Sequence, residues 1–286
     1  MTSEVRRPGP VVVLVFSHRD PPQVRRLVDR LREGNDVFVG IHHDPVGEPL
    51  VFPAMSDVAL VPDPLHCPWG GYEVTVAMVH SLRWAVATVP ELSWVLLISG
   101  QDYPAMPVRQ MEHELRTSPH DAFVRHFRID DDPALDVHHW QALTRRRYFN
   151  RRRFPRSARS YPWPRRHPFV NGRHAYVGDV WVNLGAEAVH QVLDDDAWMR
   201  QLFAFMRAAP NADELALPSL LLNGQQHLDV VSDRRRYLRF ARGEPHPATL
   251  TEADIDEIVA SDAFFARKFS AAAPAVLDRL DEHIRG

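Results

Sequence analysis

Uninterrupted apolar runs that alternate with helical segments constrain the fold of this chain more than any other feature. Residues 11–16 read VVVLVF and residues 94–98 read WVLLI. Such runs are typical of strands that are buried on both faces of a sheet. Residues 19–34 and 72–90 instead place apolar side chains at helical spacing. The alternation over residues 11–130 predicts an α/β fold, a mostly parallel Rossmann-like sheet flanked by helices.

Polar residues stand at the carboxyl ends of the predicted strands. In open α/β sheets, ligands bind outside these ends. Loops after strands also need polar residues for capping, so one cluster alone is weak evidence, but several on one edge predict a binding site. Three such clusters are present: Ser17–His18, His42–His43–Asp44 and Gln101–Asp102.

The charge balance and the single cysteine restrict the class of protein. A net charge of −3 argues against a dedicated binder of polyanions. Cys67 is the only cysteine, so the chain cannot form an internal disulfide, which fits a reducing compartment. No segment reads as a signal peptide or a membrane span. We expect a cytoplasmic protein, or one peripheral to the inner face of a membrane, with residues 1–10 as a disordered tail.

A strongly basic stretch interrupts this pattern. Residues 143–167 contain ten arginines and no acidic residue, interleaved with five aromatic residues. Arginine mixed with aromatic residues is one signature of contact with nucleic acid or an anionic surface. Three interpretations stay open: a solvated loop, a contact with an anionic acceptor or membrane, and nucleic-acid binding. The net acidic chain argues against a nucleic-acid module.

A single lysine and a pair of adjacent acidic residues are further candidates for a functional site. Lys268 is the only lysine among 34 lysine and arginine residues, and its compact ammonium suits a single phosphate oxygen. Asp213 and Glu214 lie in the first turn of a helix predicted over 210–224. Carboxylates at the start of a helix often only stabilise the helix, because they interact favourably with its dipole, and this interaction lowers their pKa. Glu214 would therefore need partial burial to act as a base.

Standard cofactor and metal motifs are absent from the sequence. We find no G-x-G-x-x-G, no P-loop, no G-x-S-x-G, no HExxH and no cysteine-based metal site. The acidic triplet at residues 130–132 could hold a divalent cation. These observations predict no bound cofactor and leave one candidate cation site.

Seven segments occur in the order found in one enzyme family. The segments read SHRDPPQVRRLVDRL, VFVGIHHD, WGGYEVTVAMVHSLRWA, LLISGQDYP, GDVWVNL, ADELALPSLLLN and FFARKF. They resemble the core-2/I-branching β1,6-N-acetylglucosaminyltransferases and the related peptide O-xylosyltransferases. The resemblance covers roughly residues 11–286. Animal members carry disulfides and a membrane anchor, whereas this sequence has a single cysteine and no segment that reads as a membrane span. The resemblance therefore implies a soluble, bacterial member.

The resemblance implies a type A glycosyltransferase fold and an inverting reaction. The donor would be a UDP-sugar, carrying N-acetylglucosamine or xylose, and no divalent cation would be needed. Glu214 would be the general base with Asp213 beside it, and Lys268 would contact the donor diphosphate. The other donor-binding residues would be Ser17, His18, His42 and Asp44. A second diphosphate cation stays open among Arg242, His246 and Arg239.

The acceptor is expected to be a glycan or another hydroxyl compound, which is anionic or membrane-associated if the basic stretch binds it. Candidate acceptor contacts are Asp102, Trp181, Asp213 and Trp69. We expect one glycosyltransferase domain over 11–286, with a nucleotide-binding half (11–130), the basic loop (143–167) and an acceptor and catalytic half (170–286). Two alternatives stay open: a metal-dependent transferase using Asp130–Asp132, and a non-catalytic module binding an anionic polymer or membrane through residues 145–166.

Overall fold

The computed structural model describes residues 8–68, 71–129, 144, 146–152, 159–194, 196–209, 213–241 and 246–284. Trp69, the triplet at 130–132 and Arg242 therefore lie outside the described residues. The chain forms two compact units. The first comprises residues 1–64, 84–119 and 234–286, and the second comprises residues 65–83 and 120–233.

The strands are short outside the amino-terminal region. In chain order they are β1 Val11–Ser17, β2 Val37–His43, β3 Val58–Leu60, β4 Trp94–Ser99, β5 Asp102–Pro104, β6 Ala122–Phe123, β7 His126–Arg128, β8 Asn150–Arg152, β9 Ser160–Pro164, β10 Tyr176–Gly178, β11 Asn183–Gly185, β12 Val230–Val231, β13 Arg236–Leu238 and β14 Phe265–Arg267.

Most of the described helices are amphipathic, and residues 215–221 of the helix that begins at Asp213 are buried throughout. They are α1 Pro21–Leu31, α2 Glu73–Thr88, α3 Val108–Thr117, α4 Ala186–Asp194, α5 Asp196–Met206, α6 Asp213–Leu222, α7 Ile255–Val259 and α8 Pro274–Ile284. Residues 146–149 are also helical. The predicted helices at 19–34 and 72–90 thus form with slightly shorter bounds.

The first unit contains a parallel sheet in the order β4-β1-β2-β3. Residues 11–15 of β1 and residues 94–98 of β4 are fully buried, as their uninterrupted apolar sequence predicts. On α1, Val24, Leu27, Val28 and Leu31 are also fully buried. The predicted α/β class, with a mostly parallel sheet and flanking helices, is therefore confirmed.

A second sheet of the first unit begins directly after the strand predicted from the apolar run at 94–98. β4 ends at Ser99, and β5 pairs antiparallel with β14, which in turn pairs in parallel with β13. The chain changes sheet at Gly100 and Gln101, because the backbone of Asp102 pairs with Arg267. This change brings the carboxyl-terminal part of the chain to the end of β4.

The second unit contains short strand pairs and helices. β6 pairs antiparallel with β11 and in parallel with β12. β7 pairs antiparallel with β10, and β8 pairs antiparallel with β9 in a hairpin of the basic stretch. α6 packs against β10, where the Ser219 hydroxyl donates to the Tyr176 carbonyl at 3.0 Å. The amino-terminal end of α6 carries Asp213 and Glu214.

Candidate active site

The carboxyl ends of β1 and β2 meet, as the sequence predicts. In the parallel register Ser17 lies opposite His43, and the Ser17 hydroxyl lies 2.8 Å from His43 Nδ1. His42 is 2% exposed and stacks on Phe16, with ring centroids 5.1 Å apart. The Asp44 backbone N–H donates to the Ser17 carbonyl at 2.8 Å. Ser17, His42, His43 and Asp44 thus belong to one cluster, as their positions at the predicted strand ends indicate.

The loop after β2 folds back over the end of β1. Asp44 Oδ1 accepts the backbone N–H of Val46 at 2.9 Å, which closes a turn. Glu48 N–H then donates to the His18 carbonyl at 2.9 Å. A side chain at Gly47 would collide with this carbonyl, so the close approach requires glycine. The Asp44 carboxylate therefore organises this loop, and its role toward a nucleotide stays a prediction.

His18 is exposed beside this loop. Partial desolvation, together with the neighbouring charge of Arg19, lowers the pKa of His18 below its ordinary value of 6.5. The imidazole is therefore neutral at pH 7 and can both donate and accept a hydrogen bond.

Lys268 lies at the same edge of the parallel sheet. Arg267, the last residue of β14, pairs with Asp102 in β5, so Lys268 follows directly after this pair. The Phe269 backbone N–H donates to the Gln101 carbonyl at 2.9 Å. Among the described residues, the half-buried Lys268 side chain has no ion-pair partner.

A buried glutamine ties the Lys268 segment to the end of β4. Gln23 is 3% exposed, and its Nε2 donates to the Gly100 carbonyl at 3.1 Å and to the Phe269 carbonyl at 3.4 Å. The Gly100 N–H donates to the Phe16 carbonyl at 2.8 Å. Lys268 therefore lies close to the ends of both β1 and β4, as a donor-binding role at this edge requires.

Asp102 has an internal position. It is completely buried, accepts the Ser99 backbone N–H at 2.9 Å, and lies 3.6 Å from Arg236 Nε and 3.4 Å from Arg267 Nε. Buried ion pairs are stable only when the charges compensate each other. Asp102 thus anchors β13 and β14 to the end of β4, and its contact with a sugar hydroxyl stays a prediction.

The three candidates for a second diphosphate cation differ in their surroundings. Arg239 forms an ion pair with Asp254, with Nε 2.5 Å from Oδ1. Asp254 also accepts the Thr251 backbone N–H at 2.7 Å, so this pair stabilises the turn before α7. His246 is exposed, and Arg242 lies outside the described residues. Arg239 is thus engaged with Asp254, and the identity of the second cation stays open.

In the second unit, Glu214 in the first turn of α6 receives two hydrogen bonds. The Tyr148 hydroxyl donates to Oε2 at 3.3 Å, and Arg147 Nη1 donates to the same oxygen at 3.4 Å. The Glu214 side chain is 34% exposed, so the carboxylate is oriented by protein groups yet reaches solvent. An oriented, accessible carboxylate is what a general base requires.

Asp213 next to Glu214 is half-buried, with part of its carboxylate enclosed by the protein. Its Oδ1 atom is buried and accepts no hydrogen bond from any described residue. Burial, and secondly the charge of Glu214, raise the pKa of Asp213 to about 6. Burial therefore outweighs the helix dipole, which from the sequence was expected to lower the pKa of carboxylates at this helix end.

Tyr148 and Arg147 were not selected from the sequence as site residues. Both belong to the basic stretch, where aromatic residues alternate with arginines in the segment RRRYF at 145–149. This interleaving was the available signal, but it was interpreted as a surface property. Part of the stretch is thus structural and contacts the predicted base.

The structure gives little evidence on the two remaining acceptor candidates, Trp181 and Trp69. Trp181 is half-buried between β10 and β11. Trp69 lies outside the described residues. Both roles stay predictions.

The described residues contain no group of three or more histidine, cysteine, aspartate or glutamate side chains that could hold a metal ion. The triplet at 130–132 lies outside them, so it stays untested. Within the described part of the chain, no helix combines the length and the apolar character that a membrane crossing needs.

Comparisons with known proteins bear on the family. The sequence model of the Core-2/I-Branching enzyme family matches residues 14–262. This range includes the strand-end clusters, Asp102 and Glu214, and it ends before Lys268. A search of curated proteins finds none that matches the chain.

Among solved structures, one similar chain is described as "crystal structure of a glycosyltransferase involved in the glycosylation of the major capsid of PBCV-1". It is 10% identical with a TM-score of 0.42, and the alignment covers 97% of this chain and 100% of that chain. A TM-score at this level supports no argument about this protein. The family match, in contrast, covers most of the sequence, and the chain belongs to the core-2/I-branching enzyme family of glycosyltransferases.

Proposed function

We propose that this glycosyltransferase transfers N-acetylglucosamine or xylose from a UDP-sugar to a hydroxyl group, with inversion and without a metal ion. The observation that carries the proposal is the carboxylate of Glu214. It begins α6, receives hydrogen bonds from Tyr148 and Arg147, and remains 34% exposed. No comparable arrangement is needed for capping a helix, since a cap carboxylate accepts backbone N–H groups.

In the proposed reaction, Glu214 accepts the proton of the acceptor hydroxyl. The acceptor oxygen forms a bond with the anomeric carbon while the bond from that carbon to the phosphate oxygen breaks. UDP leaves with the electron pair of the broken bond. Because attack and departure occur on opposite faces of the sugar, the configuration inverts.

The departing diphosphate gains negative charge, which must be stabilised by fixed cations or a metal. We assign this role to Lys268, because its backbone lies at the carboxyl edge of the parallel sheet and its side chain forms no ion pair with any described residue. The neighbouring cluster at the ends of β1 and β2 would hold the nucleotide. Its members are Ser17, His18, His42 and Asp44.

Acceptor binding is proposed for Asp213, Trp181, Trp69 and Asp102. Asp213 and Trp181 retain partly exposed surface, and an aromatic ring offers an apolar face to a sugar. Asp102 would have to leave its two arginines to reach an acceptor. It is therefore the weakest of the four assignments.

Turnover measurements test the proposal. UDP release from UDP-N-acetylglucosamine and UDP-xylose is measured with a panel of glycosides and hydroxyl-bearing peptides, with and without EDTA. We expect turnover of one donor that survives EDTA, and an increase in melting temperature with that donor because ligand binding stabilises the folded state. Loss of turnover in EDTA would favour a cation at Asp130–Asp132. Turnover of neither UDP-sugar would contradict the donor assignment.

A further inference from the structure

Tyr148 lies next to the proposed base, Glu214, and the sequence around Tyr148 does not predict this contact. The side chain is completely buried, and its hydroxyl lies 3.3 Å from Glu214 Oε2. The neighbouring Arg147, in contrast, is an exposed partner of the same oxygen, with 42% of its side chain accessible. Tyr148 thus contacts the carboxylate from the buried side.

The backbone of Tyr148 is fixed by a second arginine of the basic stretch. Arg165 Nε donates to the Tyr148 carbonyl at 2.7 Å, and Nη1 donates to the Phe205 carbonyl at 2.7 Å. The guanidinium also stacks on the Phe205 ring, 3.6 Å from its centroid. The Arg165 N–H donates to the carbonyl of Phe149 at 2.8 Å. These contacts hold the tyrosine in one place, so its hydroxyl is a rigid hydrogen-bond donor.

The Tyr148 hydroxyl keeps its proton over the working range of an enzyme. Burial, and secondly the charge of Glu214, raise the pKa of Tyr148 well above 10. Asp213 acts in the same direction, and Arg147 acts in the opposite one. Toward an ionised carboxylate, a phenol that stays protonated can only donate, so it orients the carboxylate without competing for the proton of the acceptor.

We infer that Tyr148 is a positioning residue that orients the Glu214 carboxylate and stabilises its ionised form. The inference rests on the proposed function of Glu214 as the general base. A base that is displaced or rotated loses rate, because proton transfer requires alignment with the acceptor hydroxyl. A lost hydrogen bond to the ionised form also makes the carboxylate easier to protonate. Both effects appear in kinetics, whereas a purely structural tyrosine would change neither the rate nor its pH dependence in the folded enzyme.

The test is the variant Tyr148→Phe, which removes one oxygen and keeps the buried ring. We expect kcat to fall about 10- to 100-fold with little change in the KM of the donor. The acid limb of the pH profile of kcat should move to higher pH by ~0.5–1 unit, as expected for one lost hydrogen bond. Rates are measured by UDP release from the UDP-sugar that the wild-type protein turns over.

Tyr237→Phe is a matched control. The Tyr237 hydroxyl donates to Glu257 Oε2 at 2.6 Å in the first unit, so this variant removes the same chemical contact from an exposed pair. We expect its kcat and its acid limb to equal those of the wild type. If Tyr148→Phe also retains the wild-type rate and acid limb, the positioning role is wrong.

A second variant covers the case in which Tyr148→Phe unfolds. 3-Fluorotyrosine introduced at position 148 alone keeps the shape of the ring and makes the hydroxyl a stronger donor. We then expect the acid limb to move to lower pH, and an unmoved limb would contradict the inference. An inactive wild-type protein, or a fully active Glu214→Gln variant, would instead overturn the proposed function on which the inference rests.

Discussion

Two groups of carboxylates, one in each unit, differ in the charges that surround them. Asp102 in the first unit is completely buried and has two guanidinium groups and a backbone N–H around it. Asp213 and Glu214 in the second unit are adjacent acids, and burial together with their mutual repulsion raises the pKa of Asp213 to about 6. A buried carboxylate that is paired with positive charges can hold secondary-structure elements together. A carboxylate beside a second carboxylate binds a proton more readily, because the two negative charges repel each other.

We expect this difference to correspond to a mainly structural role for Asp102 and a role in catalysis for Asp213 and Glu214. Perturbed acids that reach solvent are candidates for catalysis, while buried ion pairs are often only structural. The variants below test this division, in order of decreasing expected effect.

Glu214→Gln should have the largest effect. The amide keeps the size of the side chain but cannot accept the proton of the acceptor, so turnover should fall by about 10²–10⁴. UDP release under saturating donor measures this loss. Thermal unfolding of the same preparation shows whether the variant is folded, and a folded, fully active variant would remove Glu214 as the base.

Asp102→Asn should instead reduce stability. Removing the charge leaves Arg236 and Arg267 buried with less compensation, so the free energy of unfolding should fall by about 3–5 kcal/mol. Urea denaturation measures the change. The control is Asp57→Asn, which breaks the accessible pair with Arg32 and should cost less than about 1 kcal/mol. Equal losses in both variants would contradict the anchoring role of Asp102.

Lys268→Ala should weaken the binding of UDP. Loss of a charge-assisted hydrogen bond to phosphate typically costs about 1.5–3 kcal/mol, which is about a 10- to 150-fold increase in Kd. Isothermal titration calorimetry with UDP measures it. Lys268→Arg restores the charge with a different shape and should lie between the two. An unchanged Kd for Lys268→Ala would exclude contact with the diphosphate.

Asp213→Asn should have the smallest effect, and its size depends on pH. The pKa of Asp213 is about 6 in the folded protein, against an ordinary value of 3.8. The folded state thus binds the proton more tightly, so wild-type stability should decrease as the pH rises from about 4 to 6. Asn carries no charge, so the variant should be more stable than the wild type by roughly 1–3 kcal/mol at pH 7 and equal to it at pH 4. A difference that does not vary with pH would show that Asp213 is not buried as described.

Long strands and their polar ends could be predicted from the sequence, because uninterrupted apolar runs and helical spacing are local signals. The partners of Asp102 could not. Arg236 and Arg267 lie far along the chain and arrive through the three-residue strands β13 and β14, which are too short for any periodicity. The same holds for the place of Lys268 at the sheet edge.

The residues that surround Glu214 could not be predicted from the sequence either. Its helix start was predicted, and so was its need for partial burial. Tyr148, however, lies 66 residues earlier, inside a stretch whose ten arginines indicated a surface. The pKa of Asp213 depends on how deeply the helix end is buried, which only packing determines.

The central claim is that Glu214 performs the proton transfer while Lys268 binds the donor. The most direct test is calorimetric titration of UDP into Glu214→Gln and Lys268→Ala, with UDP release measured on the same preparations. The account predicts wild-type UDP affinity and lost turnover for Glu214→Gln, and weakened affinity for Lys268→Ala. Wild-type turnover in Glu214→Gln, or a Kd for UDP that rises equally in both variants, would contradict it.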